Sequence, residues 1–194
     1  MIAKSARILA LLTALGVQTM PALAQDRGVF IDQIGNDNQA RIDQSSNGQA
    51  GSVTQDGDRN NADVRQNDGG AHSAAVSQDG DDNSVSVVQS GVGSATATID
   101  QTGVDNSVLL AQQDNGGLGS IAEIVQTGSN NGIALVQDGT DNQAALIQNG
   151  DNNVMTAIQT GNGNRLQWTQ DGSGLADLGI TQTGGATTIV TQSN

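Results

Sequence analysis

From Ile31 to Val190 an apolar side chain recurs at intervals of about eleven residues, and each stands two places before a glutamine. The apolar positions are Ile31, Ile42, Val53, Val64, Val76, Val87, Ile99, Leu110, Ile124, Leu135, Leu146, Ala157, Trp168, Ile180 and Val190. The glutamines that follow them are Gln33, Gln44, Gln55, Gln66, Gln78, Gln89, Gln101, Gln112, Gln126, Gln137, Gln148, Gln159, Gln170, Gln182 and Gln192. Of the fourteen intervals between these glutamines nine are 11 residues, three are 12, one is 14 and one is 10. Random low complexity does not hold such a register, so the chain is a repeat array.

The rest of the unit is equally patterned. Two residues after the glutamine comes glycine, at Gly35, Gly57, Gly80, Gly91, Gly103, Gly128, Gly139, Gly150, Gly161, Gly172 and Gly184. Five after it stands Asn38, Asn60, Asn83, Asn106, Asn131, Asn142, Asn153 or Asn164. Seven after it stands a small or aliphatic residue, such as Ala40, Ala62, Val85 or Met155. The asparagine, the two apolar positions and the next glutamine are spaced by two, which puts them on one face of an extended strand. Four residues of the form x-Gly-x-x remain for a turn, where glycine supplies positive φ and Asp, Asn or Ser bonds the local backbone.

Two facing strands make a rung of about 22 residues, and no such rung buries its marked face alone. The expected fold is therefore all-β: a β-solenoid of about seven stacked two-strand β-arch rungs, with cross-β spacing along the stack. Buried amides cost free energy unless they are hydrogen-bonded. In a stack each Gln or Asn can bond the like amide above and below, as in amyloid ladders. Repeats that run into open strand edges, in a segment with no proline after Pro21, predict end-to-end growth.

Composition narrows the functional classes. Of 194 residues 26 are glycine; there is one Phe, one Trp and no Tyr or Cys, which excludes an aromatic-filled core, disulfides, thiolate metal sites and cysteine nucleophiles. Lys4 and Arg7 precede an apolar run from Ile8 to Val17, then Pro21 and Ala22-Leu23-Ala24, the order of a secretory signal peptide. Cleavage is expected between Ala24 and Gln25. This divides the chain into a signal peptide (1–24), a short N-terminal segment (25–30) and a repeat domain (31–194). The apolar run is too short to span a bilayer, so no membrane span is expected. Without Lys4 and Arg7 the chain carries five Arg against 20 acids, net −15, which argues against a nucleic-acid partner. The acids concentrate near turns, at Asp56, Asp58, Asp79, Asp81, Asp82, Asp138, Asp141 and Asp171, where they solvate the surface and repel like units.

The unit Gln-x-Gly-x-x-Asn-x-Ala-x-x-x-Gln resembles the repeat of the curlin family, the subunits of bacterial curli amyloid fibres. It is intact from Gln33 to Gln44, Gln55 to Gln66 and Gln137 to Gln148. The resemblance implies a secreted subunit that passes an outer-membrane pore and polymerises at the cell surface as functional amyloid in biofilm matrix. Its partners would be copies of itself, a related fibre subunit or nucleator, and the pore. The family alternates strands opening with Ser and Asn, whereas here Asn opens both kinds, so odd and even strands are less distinct. The segment before the repeats is also shorter than the family's, and the rungs are more numerous.

Enzymatic chemistry finds no support. His72 is the sole histidine and sits in an irregular turn, where a solvated position is expected. Asp79-Gly80-Asp81-Asp82-Asn83 lacks the glycine and closing glutamate of an EF-hand loop. Neither catalytic residues nor metal or cofactor ligands are assigned. Trp168 takes an Ile/Val position and is expected in the core. The irregular units after Gln66 and Gln112 are expected to loop out or bulge. The leading function is a self-assembling fibre subunit. The alternatives are a minor nucleator that templates another subunit, and a non-polymerising solenoid that binds a surface; the apolar residue in every unit opposes a disordered linker.

Overall fold

The computed structural model describes residues 6–8 and 28–194. The expected leader apart from 6–8, and the cleavage pair Ala24 and Gln25, lie outside the described residues.

The strands are β1 (Ala6–Ile8), β2 (Gly28–Ile34), β3 (Gln39–Gln44), β4 (Ala50–Asp56), β5 (Asn61–Gln66), β6 (Ser73–Asp81), β7 (Ser84–Ser90), β8 (Ala95–Val104), β9 (Ser107–Asp114), β10 (Ser120–Ser129), β11 (Gly132–Gly139), β12 (Gln143–Asn149), β13 (Val154–Thr160), β14 (Arg165–Asp171), β15 (Ile180–Thr183) and β16 (Thr187–Ser193). Even-numbered strands form one sheet and odd-numbered strands the other, each stacked in chain order. The result is an all-β solenoid of about 7 turns, as the repeat predicts. Every pairing from β2 to β16 is parallel; only β1, against β3, is antiparallel. The repeat strand begins at Gly28, so β2 takes in Gly28–Phe30 ahead of the first apolar marker.

Register follows the glutamines. Gln55 pairs with Gln78 and Gln78 with Gln101 in the even sheet; Gln66 pairs with Gln89 and Gln89 with Gln112 in the odd sheet. A slip of one residue would turn every apolar side chain outward, so the alternation fixes the pairing. Inside lie the two apolar columns of each sheet, among them Ile42, Val64, Val87 and Leu110 on the odd strands and Val53, Ile99, Ile124 and Leu146 on the even ones, all at most 2 % exposed. Trp168 is fully buried between Leu146 and Val190 of its column, and its Nε1–H donates to Gln192 Oε1 at 2.9 Å. The odd strand of the neighbouring rung carries Ala157 where other units hold Ile, Val or Leu, a small residue beside the one large ring.

The two edges of the solenoid differ, which the sequence reading did not anticipate. Turns from even to odd strands keep the 11-residue interval from Gln33 through Gln148–Gln159. Turns from odd to even strands hold three of the four longer units, Gln66–Gln78, Gln89–Gln101 and Gln112–Gln126, and also the shortest, Gln182–Gln192; the fourth, Gln170–Gln182, is the last even-to-odd turn. The extra residues lie in the turns and leave the ladders in register. The first edge is therefore regular as far as Gln170 and the second variable.

Candidate functional site

The feature with most chemistry is the pair of buried glutamine columns. In the odd sheet each Nε2 donates to the Oε1 of the next rung: Gln44 to Gln66 at 2.8 Å, Gln66 to Gln89 at 2.9 Å, Gln89 to Gln112 at 3.0 Å, Gln112 to Gln137 at 2.8 Å, Gln137 to Gln159 at 2.7 Å and Gln159 to Gln182 at 2.7 Å. The even sheet repeats this from Gln33 through Gln55, Gln78, Gln101, Gln126, Gln148 and Gln170 to Gln192, at 2.6–3.0 Å. The second N–H of the amide crosses the rung to a carbonyl at the start of the facing strand, as Gln66 does to Ala50 O at 2.9 Å and Gln137 to Ile121 O at 3.0 Å. One side chain thus bonds along the stack and across it, which a leucine of similar size could not do. All donors point one way: Gln33 Oε1 and Gln44 Oε1 have no donor among the described residues, whereas Gln182 and Gln192 end on backbone carbonyls and a threonine hydroxyl.

The asparagines make the expected like-to-like bonds at some rungs, Asn83 to Asn60 and Asn131 to Asn106 among them, and bond the backbone as well. On the regular edge Asn38, Asn60, Asn83, Asn106, Asn131 and Asn153 form one buried column. The Oδ1 of each but the last accepts the backbone N–H of the asparagine one rung on, as Asn38 does from Asn60 at 2.9 Å and Asn131 from Asn153 at 3.1 Å, and Asn153 Oδ1 accepts the Leu175 N–H at 3.0 Å. Each Nδ2 donates to the carbonyl of the turn glycine one rung on: Asn38 to Gly57, Asn60 to Gly80, Asn83 to Gly103, Asn106 to Gly128, Asn131 to Gly150 and Asn153 to Gly172, at 2.6–2.9 Å. One methylene shorter than glutamine, the side chain sits against backbone and staples successive turns; amide-to-amide bonds such as Asn106 to Asn83 at 3.1 Å are additional.

The corresponding column on the variable edge reads Gln49, His72, Ala95, Ser120, Asn142 and Asn164. Odd and even strands therefore differ at this place more than the shared opening asparagine suggests. The spacing of six residues before each glutamine would have revealed this column; the count from the preceding glutamine hides it because the units vary in length. His72 is fully buried rather than solvated. Its Nδ1 accepts the Ala95 N–H at 3.2 Å and its Nε2 lies 3.1 Å from Asn67 O, a pattern that fixes the neutral tautomer with the proton on Nε2. Burial holds its pKa below the ordinary imidazole value, against smaller opposing effects of the Asn67 and Gly91 carbonyls and of Asp114 and Asp68. Asp114, also fully buried, takes hydrogen bonds from Ser120 Oγ at 2.8 Å and Gly116 N at 2.9 Å, which anchors the longest turn.

The turn carboxylates are more than solvating groups. Asp58 Oδ1 accepts the Asn36 N–H at 2.7 Å, Asp81 Oδ1 the Asp58 N–H at 2.8 Å and Asp151 Oδ1 the Ser129 N–H at 2.8 Å, each joining one rung to the next. Asp82 is held by Arg59 through two bonds of 2.7 and 2.6 Å, so in the calcium-loop-like stretch both Asp81 and Asp82 are committed to protein partners. The nine turn glycines Gly35, Gly57, Gly80, Gly103, Gly128, Gly139, Gly150, Gly161 and Gly172 all have positive φ. Two residues after them comes a second positive φ on a non-glycine residue, at Asp37, Arg59, Asp82, Asp105, Asn130, Asp141 and Asn152, which the sequence reading missed.

These columns form a one-dimensional template whose every rung presents the hydrogen-bonding pattern of the next. The family model of the curlin associated repeat matches residues 50–80, 57–91 and 139–172. No curated protein and no solved structure matched the chain.

Proposed function

From a chain that carries curlin associated repeats, we propose an exported structural subunit that stacks end to end into extracellular cross-β fibres of the curli kind, serving adhesion and biofilm matrix. The observation that carries this reading is the unbroken, unidirectional glutamine column. The acceptor left at Gln33 and Gln44 matches the donors of Gln182 and Gln192, so a second copy would extend both columns by the contact already repeated inside the chain. Export through an outer-membrane pore, removal of residues 1–24 and cooperation with a related subunit or nucleator belong to the same proposal and rest on the family resemblance.

The test is fibre diffraction on purified residues 25–194 after removal of denaturant at neutral pH. Aligned filaments should give reflections near 4.7–4.8 Å and ~10 Å. A soluble β-rich monomer that never assembles would refute the reading.

A further inference from the structure

On the outward face of the odd sheet, from β7 to β13, Asp138 is the only charged residue, in a chain of net charge −13. Rungs before it carry Arg41, Asp43, Asp63 and Arg65 on the same face, and beyond it Asp177 accepts the Thr156 N–H. The even sheet at the same level carries Asp100, Glu123, Arg165 and Asp171. The window is apolar at its centre: Leu109 is 55 % exposed, Val136 40 % and Ile158 39 %. Like-charged copies repel one another over most of their surface, and this window is where approach is least opposed.

The window is also self-complementary. Leu109 lies in register with Ala134, and Ala111 with Val136. A shallow groove runs past Leu109 over Gly132 and Ala134. Consider a two-fold axis parallel to the strands, midway between β9 and β11. It lays Leu109 of each copy over Ala134 of the other and Val136 over Ala111, and it brings Ile158 over Val88, since β13 and β7 flank the pair. Large residues meet small ones at the two central pairs, and the lone carboxylate of Asp138 meets the amide of Gln113 on the other copy. An isologous contact requires this kind of match.

We propose that two stacked fibres pair through this face, back to back and antiparallel, with a second copy of the chain as the occupant. The pairing rests on the fibre reading above. Four strands about 4.8 Å apart and seven residues long cover roughly 400 Å². A stable pair of single molecules needs about 800 Å² from each partner. One contact is therefore too small to hold two subunits, and repetition along two stacks supplies the multivalency.

The experiment is electron microscopy of filament width and polarity, with fibre diffraction on the same samples, for four proteins besides the wild type. Leu109→Glu places a charge at the centre, and Ala134→Leu sets leucine against leucine. The double variant Leu109→Ala with Ala134→Leu exchanges the large and small residues and restores the fit. Ser52→Glu with Thr96→Glu adds charge to the opposite face as the control. All these positions point outward, so the 4.7–4.8 Å reflection should persist throughout. Wild type, swap and control should give paired antiparallel filaments, and the two single variants unpaired ones of roughly half the width. Unchanged widths in the single variants, a swap that stays unpaired, or pairs of like polarity would each overturn the pairing. Wild type without the cross-β reflection would overturn the fibre reading and this pairing with it, a result distinct from fibres of unaltered width.

Discussion

At the residue scale the two amides do separate work. Removing Gln112 leaves the Oε1 of Gln137 without its donor in a dry column and takes from the Gln89 Nε2 one of three acceptors, the Ser73 and Ala95 carbonyls remaining, and an unmet buried group costs about 1–3 kcal/mol. Gln112→Ala should lower stability by about 2–5 kcal/mol once lost packing is added, read as the urea midpoint of the unassembled chain. Asn106→Ala should cost about as much per orphaned group, because it deprives the Asn131 N–H and the Gly128 carbonyl of partners. His72 adds a pH dependence whose sign follows from its burial. Its folded pKa lies below the ordinary value of 6.5, so the unfolded chain takes up the proton first and stability erodes as pH falls below that value. The urea midpoint should fall between about pH 7.5 and about pH 5.5, and His72→Gln should flatten the fall. Glutamine is the natural replacement, since Gln49 already occupies the preceding place in that column.

At the element scale, strands were legible and turns only partly so. Period-two spacing from Asn38 through Ala40 and Ile42 to Gln44 identifies an inward face that depends on backbone geometry alone, and those four residues are buried. The glycine turn was legible for the same reason. The second positive φ had a signal that was read only as local backbone bonding: six of its seven non-glycine residues are Asp or Asn, the side chains that tolerate the left-handed region, and Arg59 is held there by the rung-to-rung bonding of the turn, its N–H donating to Asn36 O at 2.9 Å. His72 was misjudged because burial at that edge is decided by the column it joins, a relation across about 23 residues that local composition does not carry. The turn glycines are not interchangeable with alanine. At Gly57 φ is +117° and an added Cβ would lie 2.1 Å from Gly80 O, whereas at Gly69 it would meet nothing within 4 Å. Gly57→Ala should therefore destabilise by more than 1 kcal/mol, and Gly69→Ala should be near neutral or slightly stabilising. Urea midpoints of the two variants, compared side by side, decide the point.

At the scale of the whole molecule, net charge and column direction govern assembly. Turn carboxylates oppose the approach of like units, so at neutral pH fibre formation should be faster at about 0.5 M salt, where repulsion is screened, than at about 0.01 M. Lag times followed by light scattering test this, and equal lags would count against charge control. Because every glutamine donates toward the C-terminal end, growth should be polar, with new subunits adding in one orientation. Labelled subunits grown from unlabelled seeds would make that visible. The variable edge has a separate consequence for the inheritance of change. Turns there differ in length by several residues while the columns hold register, and Leu118, in the longest of them, is 95 % exposed. Foreign peptides grafted at that turn would be shown to the solvent at a fixed interval along the axis, one per subunit, with no demand on the packed interior. The solenoid thus keeps one margin for invariance and leaves the other open to novelty.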